Sequence, residues 1–394
     1  MDTQEKLDIL ARDAQYDLSC ACSTNKPEEH RKRSVDGDRW LYPVTVANGG
    51  SGIMLKTLMS NGCGNDCKYC PLRCQQDFRR VSLEPSELAS FFIDFQRKRN
   101  LIGLFLSSGV VGNPDRTMDR LIGTAEILRK RYRYRGYIHL KIIPGASKAA
   151  MDKAMSYASA VSLNIETPGA SHFQKLTDRK RYETDIMEPL RYIASQTQRG
   201  GLFPRIHTSS QFIVGASDET DREILQYGWQ MYRSLGFGRL YYSAYQNGLG
   251  DPSIPGERQL ERELIVEEQP TLFELPPVYK PVGAQKLLVR EHRLYQADWL
   301  FRQYRFRYDD MVFDSAGNLD LTKDPKQLWA EHHPEYFPVN VRRASLNQLL
   351  RVPGIGPTFA RRIVDNRKGA VLSTLEDLRL PRSYLEKAAP YLEL

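Results

Sequence analysis

From residue 53 onward, short apolar runs alternate with longer stretches whose apolar residues recur every three or four positions. The short runs at 53–59, 104–106, 137–143, 161–165, 210–214 and 239–245 have the length and composition of strands. Between them, residues 85–97 carry Leu88, Phe91, Phe92 and Phe95 at helical spacing, with Glu84 and Glu87 where the helix dipole favours acids. Further helices are expected over 118–131, 146–158, 183–196 and 219–235. Six βα units in series imply parallel strands with helices outside, hence an α/β fold: a partial (β/α)6, TIM-like barrel. Such folds carry their chemistry on loops at the C-terminal ends of the strands.

The flanks have a different texture. Residues 1–48 form a leader in which Leu7, Ile9, Leu10 and Ala14 stripe a short helix, followed by a charged stretch. Cys20 and Cys22 in it suit small half-buried positions better than metal ligands. The barrel is expected over 49–247. A proline-rich connector follows over 248–343 and leads into a helix from 290 to about 307, whose apolar residues suit packing and whose Arg293, Arg302, Arg305 and Arg307 suit a phosphate backbone. Residues 344–394 read as a small all-α unit.

Composition adds bounds to this pattern. At 394 residues, with 41% hydrophobic and 26% charged, the chain is of ordinary globular type and long enough for two or three domains. No apolar run approaches the roughly 20 residues of a membrane helix, and the polar, acidic start is unlike a signal peptide. A cytoplasmic location with no membrane contact is the expectation. Six cysteines, four of them between Cys63 and Cys74, suit a metal site in a reducing compartment. The net charge of +8 and pI near 9.0 favour a polyanionic partner.

The stretch Cys63-Gly64-Asn65-Asp66-Cys67-Lys68-Tyr69-Cys70 follows the first strand at its C-terminal end. Three thiols in one short loop can hold a cubane iron–sulfur cluster, with the fourth iron left open, or a zinc ion with Cys74 as fourth ligand. The strand before the loop and the βα rhythm after it favour the cluster.

This spacing, with an aromatic residue before the last cysteine, resembles the radical S-adenosylmethionine (SAM) enzymes. The resemblance implies that Cys63, Cys67 and Cys70 ligate a [4Fe-4S] cluster whose open iron grips SAM, and that one-electron cleavage releases a 5′-deoxyadenosyl radical. It places Tyr69 near the SAM adenine. Ser107, Ser108 and Gly109 stand where the family has Gly-Gly-Glu, without the acid. Asn164 and Glu166 fit a position facing the ribose or the methionine carboxylate. Gln211 and Gly215 resemble a strand pattern flanking adenine, with Gln where Gly is usual.

Near the C-terminus, Leu350-Arg351-Val352-Pro353-Gly354-Ile355-Gly356-Pro357 and the following Thr358 to Ile363 resemble a helix-hairpin-helix module. Gly354, Ile355 and Gly356 would form the hairpin, and free amides at the next helix start would meet a phosphate. Arg361, Arg362, Arg367 and Lys368 would add charge. A second hairpin around 373–383 lacks the Gly-x-Gly turn.

With Tyr-Gln-Ala-Asp-Trp in its connector, nearly the whole chain resembles a bacterial radical-SAM family assigned to DNA modification or repair and linked to a uracil-DNA-glycosylase-like partner. The resemblance implies a SAM-dependent enzyme acting on DNA, in preference to RNA, and supplied with electrons by flavodoxin or ferredoxin. A tRNA-modifying enzyme and a non-catalytic, metal-stabilised nucleic-acid-binding protein are the competing readings.

Overall fold

The computed structural model describes residues 1–17, 41–45, 50–246, 248–262, 264–266, 279–367 and 373–394. Cys20, Cys22 and Lys368 lie outside the described residues. The chain divides into two compact units, residues 1–219 with 230–288, and residues 220–229 with 289–394.

The first unit is built on a seven-stranded sheet whose strands lie side by side in sequence order. They are β1 (Leu41–Thr45), β2 (Ser51–Leu58), β3 (Gly103–Ser107), β4 (Tyr137–Lys141), β5 (Ala160–Ser162), β6 (His207–Val214) and β7 (Arg239–Ala244). β1 runs antiparallel to β2, and β2 through β7 are parallel, neighbour to neighbour. α1 (Thr3–Asp13) precedes the sheet, and α2 (Pro85–Arg99), α3 (Pro114–Lys130), α4 (Lys148–Tyr157), α5 (Ala170–Leu176), α6 (Glu188–Thr197) and α7 (Asp221–Arg233) form the crossovers. Consecutive parallel strands joined by right-handed crossovers keep their helices on one face. The expected six-unit partial barrel of α/β class is therefore the observed architecture.

Side-chain alternation fixes what each face of the sheet carries. Leu104, Leu106, Ile138, Leu140, Phe212 and Val214 are buried apolar positions. The residues between or beside them, Ser107, Lys141, Gln211 and Ile213, line a cavity. One register thus supplies both the core and the site.

Element ends differ from the sequence expectation for identifiable reasons. α3 starts four residues early because Asn113 caps it, accepting from the Arg116 amide, with Pro114 in the first turn. The helix expected over 183–196 begins as a π-helical turn, Tyr182–Met187, before α6. β5 is only three residues long, because the chain leaves the ladder on its way to Glu166, whose φ is +65°. β1 escaped notice inside the leader: it is a short edge strand with a proline at its centre, Pro43.

Beyond β7 lie α8 (Pro255–Arg262) and the antiparallel pair β8 (Leu264–Val266) and β9 (Tyr279–Pro281). α9 (Val282–Gln303) is longer than the helix expected from residue 290. In the second unit follow α10 (Pro325–His332), β10 (Val339–Asn340), α11 (Leu346–Arg351), α12 (Pro357–Asn366), α13 (Arg382–Ala388) and β11 (Leu392–Glu393). Val339, Val341, Leu349, Leu350, Val352, Ile355, Ala360 and Ile363 share its apolar core. β10 pairs with β11 in parallel, tying the two ends of this segment together.

Candidate functional site

The cavity lies in the first unit, where β2 to β6 end, and encloses about 880 Å³ including its opening to solvent. Cys63, Cys67, Cys70 and Tyr69 enter its wall from the loop after β2, and Ser107, Ser108 and Gly109 from the end of β3. Asn164 and Glu166 follow β5, and Gln211 comes from β6. Residues from four strand ends, chosen from sequence alone, thus share one wall. Gly215 does not: it turns the chain with φ +85°, its amide donating to Glu219 at 2.6 Å. Asp218 is also outside the lining, its carboxylate engaged by Lys175 and by His172 Nδ1 at 3.1 Å.

The cysteine loop is held by contacts that its own sequence cannot supply. Asp66, 4% exposed, accepts from the Thr177 hydroxyl at 2.5 Å and from the Asp178 amide at 2.9 Å. Burial alone would raise its pKa, but these hydrogen bonds outweigh it and hold the carboxyl below the usual carboxylate range. Arg80 donates to the carbonyls of Asn61, Leu72, Arg73 and Gln76, and Arg73 to those of Cys70, Leu249 and Gly250. On the other side Gly64 donates to Val110 O, and Gly109 to Ser60 O, both at 2.8 Å. A Cβ on Gly109 would stand 2.3 Å from Gly62 O, so only glycine lets the β3 end lie this close to the loop.

Around the thiols the environment suits a positively charged inorganic partner. Backbone amides of Asn65 and Val110 point at Cys63 Sγ at 3.5 and 3.4 Å, and that of Leu72 at Cys70 Sγ at 3.4 Å. Such donors stabilise sulfur that carries negative charge. Burial pushes the Cys67 and Cys70 thiols up, and their neighbouring thiols add to it. Thiolates there need compensating positive charge, and Lys180 beside Cys67 supplies some of it. Among the described residues no three His, Cys, Asp or Glu side chains are grouped tightly enough for a single ion. A cubane spreads its cysteine ligands over separate irons, so that observation concerns mononuclear metals.

Three charged lining residues were missed by the sequence reading. Lys180 lies against Cys67 and Glu166: burial lowers its pKa, but those two groups outweigh that effect and raise it. Glu166 also meets the Tyr69 hydroxyl, whose pKa is raised by burial first and by this carboxylate second. Glu166 reaches this position in the left-handed region, a conformation that costs a non-glycine residue about 1 kcal/mol or more and is concentrated at functional sites. Asp13, from the end of α1, accepts from Asn61 Nδ2 at 2.7 Å and has its pKa raised chiefly by burial. Lys141 ends β4. The alternation along β4 could have flagged Lys141; nothing in the local sequence marks Asp13 or Lys180.

The second unit holds the glycine hairpin. Gly354 has φ +80°, and a Cβ there would lie 2.6 Å from Tyr384 O. Ile355 is buried and anchors the turn, and α12 begins directly after Gly356 with Pro357 in its first turn. Helix starts leave their first amides without helical partners. Arg361 is exposed. Arg362 and Arg367 are committed elsewhere, Arg362 Nη2 to Arg379 O at 2.5 Å and Arg367 Nη1 to Ala344 O at 2.6 Å. Arg293 is buried, donating to Asp320 O, Leu321 O and Gln296, so packing rather than phosphate contact describes it. Downstream, the second hairpin is a 3₁₀ turn, Leu375–Leu378, followed by α13.

Comparison with known proteins matches residues 336–393 to the helix-hairpin-helix motif. No curated protein matches the chain. Among solved structures, the chain is similar to methylornithine synthase, with 13% identity, TM-score 0.42 and 61% of each chain covered. It is similar to the FeFe-hydrogenase maturase of Carboxydothermus hydrogenoformans at 14% identity and TM-score 0.44, over 62% of this chain and 51% of that one. A cobalamin-dependent S-adenosylmethionine radical enzyme is similar at 14% identity and TM-score 0.41, over 86% of this chain and 58% of that one. The chain spans 61% or less of each of these three relatives.

Proposed function

We propose that the chain is a radical-SAM enzyme that modifies or repairs DNA. The observation that carries this reading is the cavity wall: Cys63, Cys67 and Cys70 stand with Tyr69, Asn164, Glu166 and Gln211 at the C-terminal ends of parallel strands. The three cysteines would hold a [4Fe-4S] cluster, and the remaining wall would hold SAM. When bound, that pair supplies a 5′-deoxyadenosyl radical for hydrogen abstraction. The chain's own part is to fix the thiols, keep water out of a largely apolar pocket and offer polar groups to the ligand.

Residues 49–247 would carry the chemistry and residues 344–394 the nucleic acid, with 1–48 as leader and 248–343 as connector. Residues 336–368 bear seven basic side chains against one acid, Asp365, around the hairpin. Amides at the start of α12 suit a phosphate oxygen, a contact without base identity. A reductant such as flavodoxin or ferredoxin, a uracil-DNA-glycosylase-like partner and a cytoplasmic location complete the proposal.

The test is anaerobic reconstitution with iron and sulfide, then reduction in the presence of SAM. Formation of 5′-deoxyadenosine, lost together with iron in the Cys63/Cys67/Cys70 triple alanine variant, is the expected result. No 5′-deoxyadenosine, or full iron content in the triple variant, would sink the reading. Affinities for DNA and RNA duplexes measured across a salt series separate DNA from RNA as substrate.

A further inference from the structure

The Tyr-Gln-Ala-Asp-Trp stretch lies within α9, at Tyr295 to Trp299. Asp298 is fully buried and pairs with Arg302, whose Nε donates to it at 2.8 Å. Arg302 in turn lies over the ring of Trp299, 5.1 Å from its centroid. Trp299 is 46% exposed, the most exposed of the large aromatic side chains of this unit after Tyr336 and Tyr384 at 47%. Tyr304 is its neighbour: burial raises the Tyr304 pKa, and the nearby Trp299 opposes that shift. Tyr304 packs on the core of the hairpin segment, and its hydroxyl stands 3.1 Å from where a Cβ of Gly356 would be. Lys326 covers the Tyr304 ring at 4.6 Å.

A buried carboxylate therefore fixes a guanidinium, the guanidinium lies on the indole, and a tyrosine that packs on the hairpin core is the indole's neighbour. An exposed tryptophan usually gains little from being held still. This one has a fixed guanidinium over its ring, and is still nearly half open to solvent.

We propose that Trp299 is a stacking platform for an unpaired nucleobase, set beside the hairpin that would take the phosphate. The inference rests on the nucleic-acid reading above and refines it. A flat π surface can stack only on a base whose own face is free. Bases inside an intact duplex are covered by their neighbours, so the platform selects single-stranded, mispaired or flipped-out positions. Arg342, Arg343 and Arg361 of the hairpin segment are exposed, and such charge is what a nucleic-acid strand needs. Arg302 over the indole adds cationic character to the stack.

The test uses the full-length protein and three fluorescent DNAs of one sequence: fully paired, with one unpaired base, and single-stranded. Base–aromatic stacking contributes about 1–3 kcal/mol, so the unpaired-base DNA should bind roughly 5- to 150-fold more tightly than the paired duplex. Trp299→Ala should remove that preference with less than about a twofold change on the paired duplex, and Trp299→Phe should keep part of it. A 5-iodouracil at the unpaired position should crosslink to Trp299 in the wild type, a readout that does not depend on how the variants fold. Equal loss on all three DNAs in Trp299→Ala, no preference in the wild type, or crosslinks only to other residues would overturn the platform. Failure to bind any of the DNAs would remove the nucleic-acid reading along with it.

Discussion

The Asp66 carboxylate accepts the Thr177 hydroxyl at 2.5 Å across 111 residues of sequence. With the Asp178 amide on its other oxygen, Asp66 ties the cysteine loop to the segment after α5 that also carries Lys180. Replacing Asp66 by Ala orphans a buried hydroxyl and an amide, at about 1–3 kcal/mol for each donor left unpaired. The expected outcome is a folded protein with lowered iron content after anaerobic reconstitution. Thr177→Val, which leaves the amide bond to Asp66 intact, should lose less iron. Undiminished iron in Asp66→Ala would show that the loop holds its geometry without this tie.

Gly109 is the second support of the loop. Its missing Cβ is what allows Gly62 O and the Cys63 side chain to lie against the end of β3. Gly109→Ala must push the two segments apart, at about 1–3 kcal/mol for an overpacked position. A thermal midpoint lowered by several degrees and weaker SAM binding in equilibrium dialysis are expected. A variant indistinguishable from wild type in both would mean that the β3 end is free to shift.

These two supports mark where sequence reading stops. The βα rhythm was legible because parallel buried strands read as apolar runs, and the cysteine spacing was legible because Cys63, Cys67 and Cys70 lie within eight residues of one another. Strand register then carried Ser107, Asn164, Glu166 and Gln211 to the same wall. Lys180 and Asp13 were not legible, since their positions follow from tertiary packing of α5 and α1 rather than from any local pattern. At Gly215 the sequence could not show the turn, with φ +85°, or that a Cβ there would stand 2.4 Å from Leu287. Arg362 and Arg367 also donate to backbone carbonyls, partners that a sequence does not show.

At the hairpin, Gly354 combines a left-handed backbone with no room for a side chain. Gly354→Ala should cost about 1–3 kcal/mol from strain and contact together. DNA affinity is expected to fall at least tenfold in a fluorescence titration, while iron content and 5′-deoxyadenosine formation stay at wild-type values. The double variant Gly354→Val with Gly356→Val should abolish binding. Unchanged affinity in the double variant would remove the hairpin from the interface.

Beneath the hairpin, Lys326 Nζ donates to Ile355 O at 2.6 Å while the residue is only 8% exposed. Burial pushes its pKa down to about 7, with Asp324 opposing the shift and Arg351 adding to it. The sign follows from proton counts. Between about 7 and the free-lysine value near 10.4, the unfolded chain holds a proton that the folded unit does not, so stability rises with pH across that window. Below about 7 both states hold it, and folding bears the full cost of burying the ammonium. A Lys326→Met variant lacks this titration. Wild type should therefore gain on the order of a few kcal/mol between about pH 6.5 and 9.5 relative to Lys326→Met. Hydrogen exchange of the amides of α12, followed at both pH values after correction for the intrinsic rate, reads that difference. Parallel pH profiles for the two proteins would mean that Lys326 keeps its charge when buried, held by the Ile355 carbonyl and the Tyr304 ring.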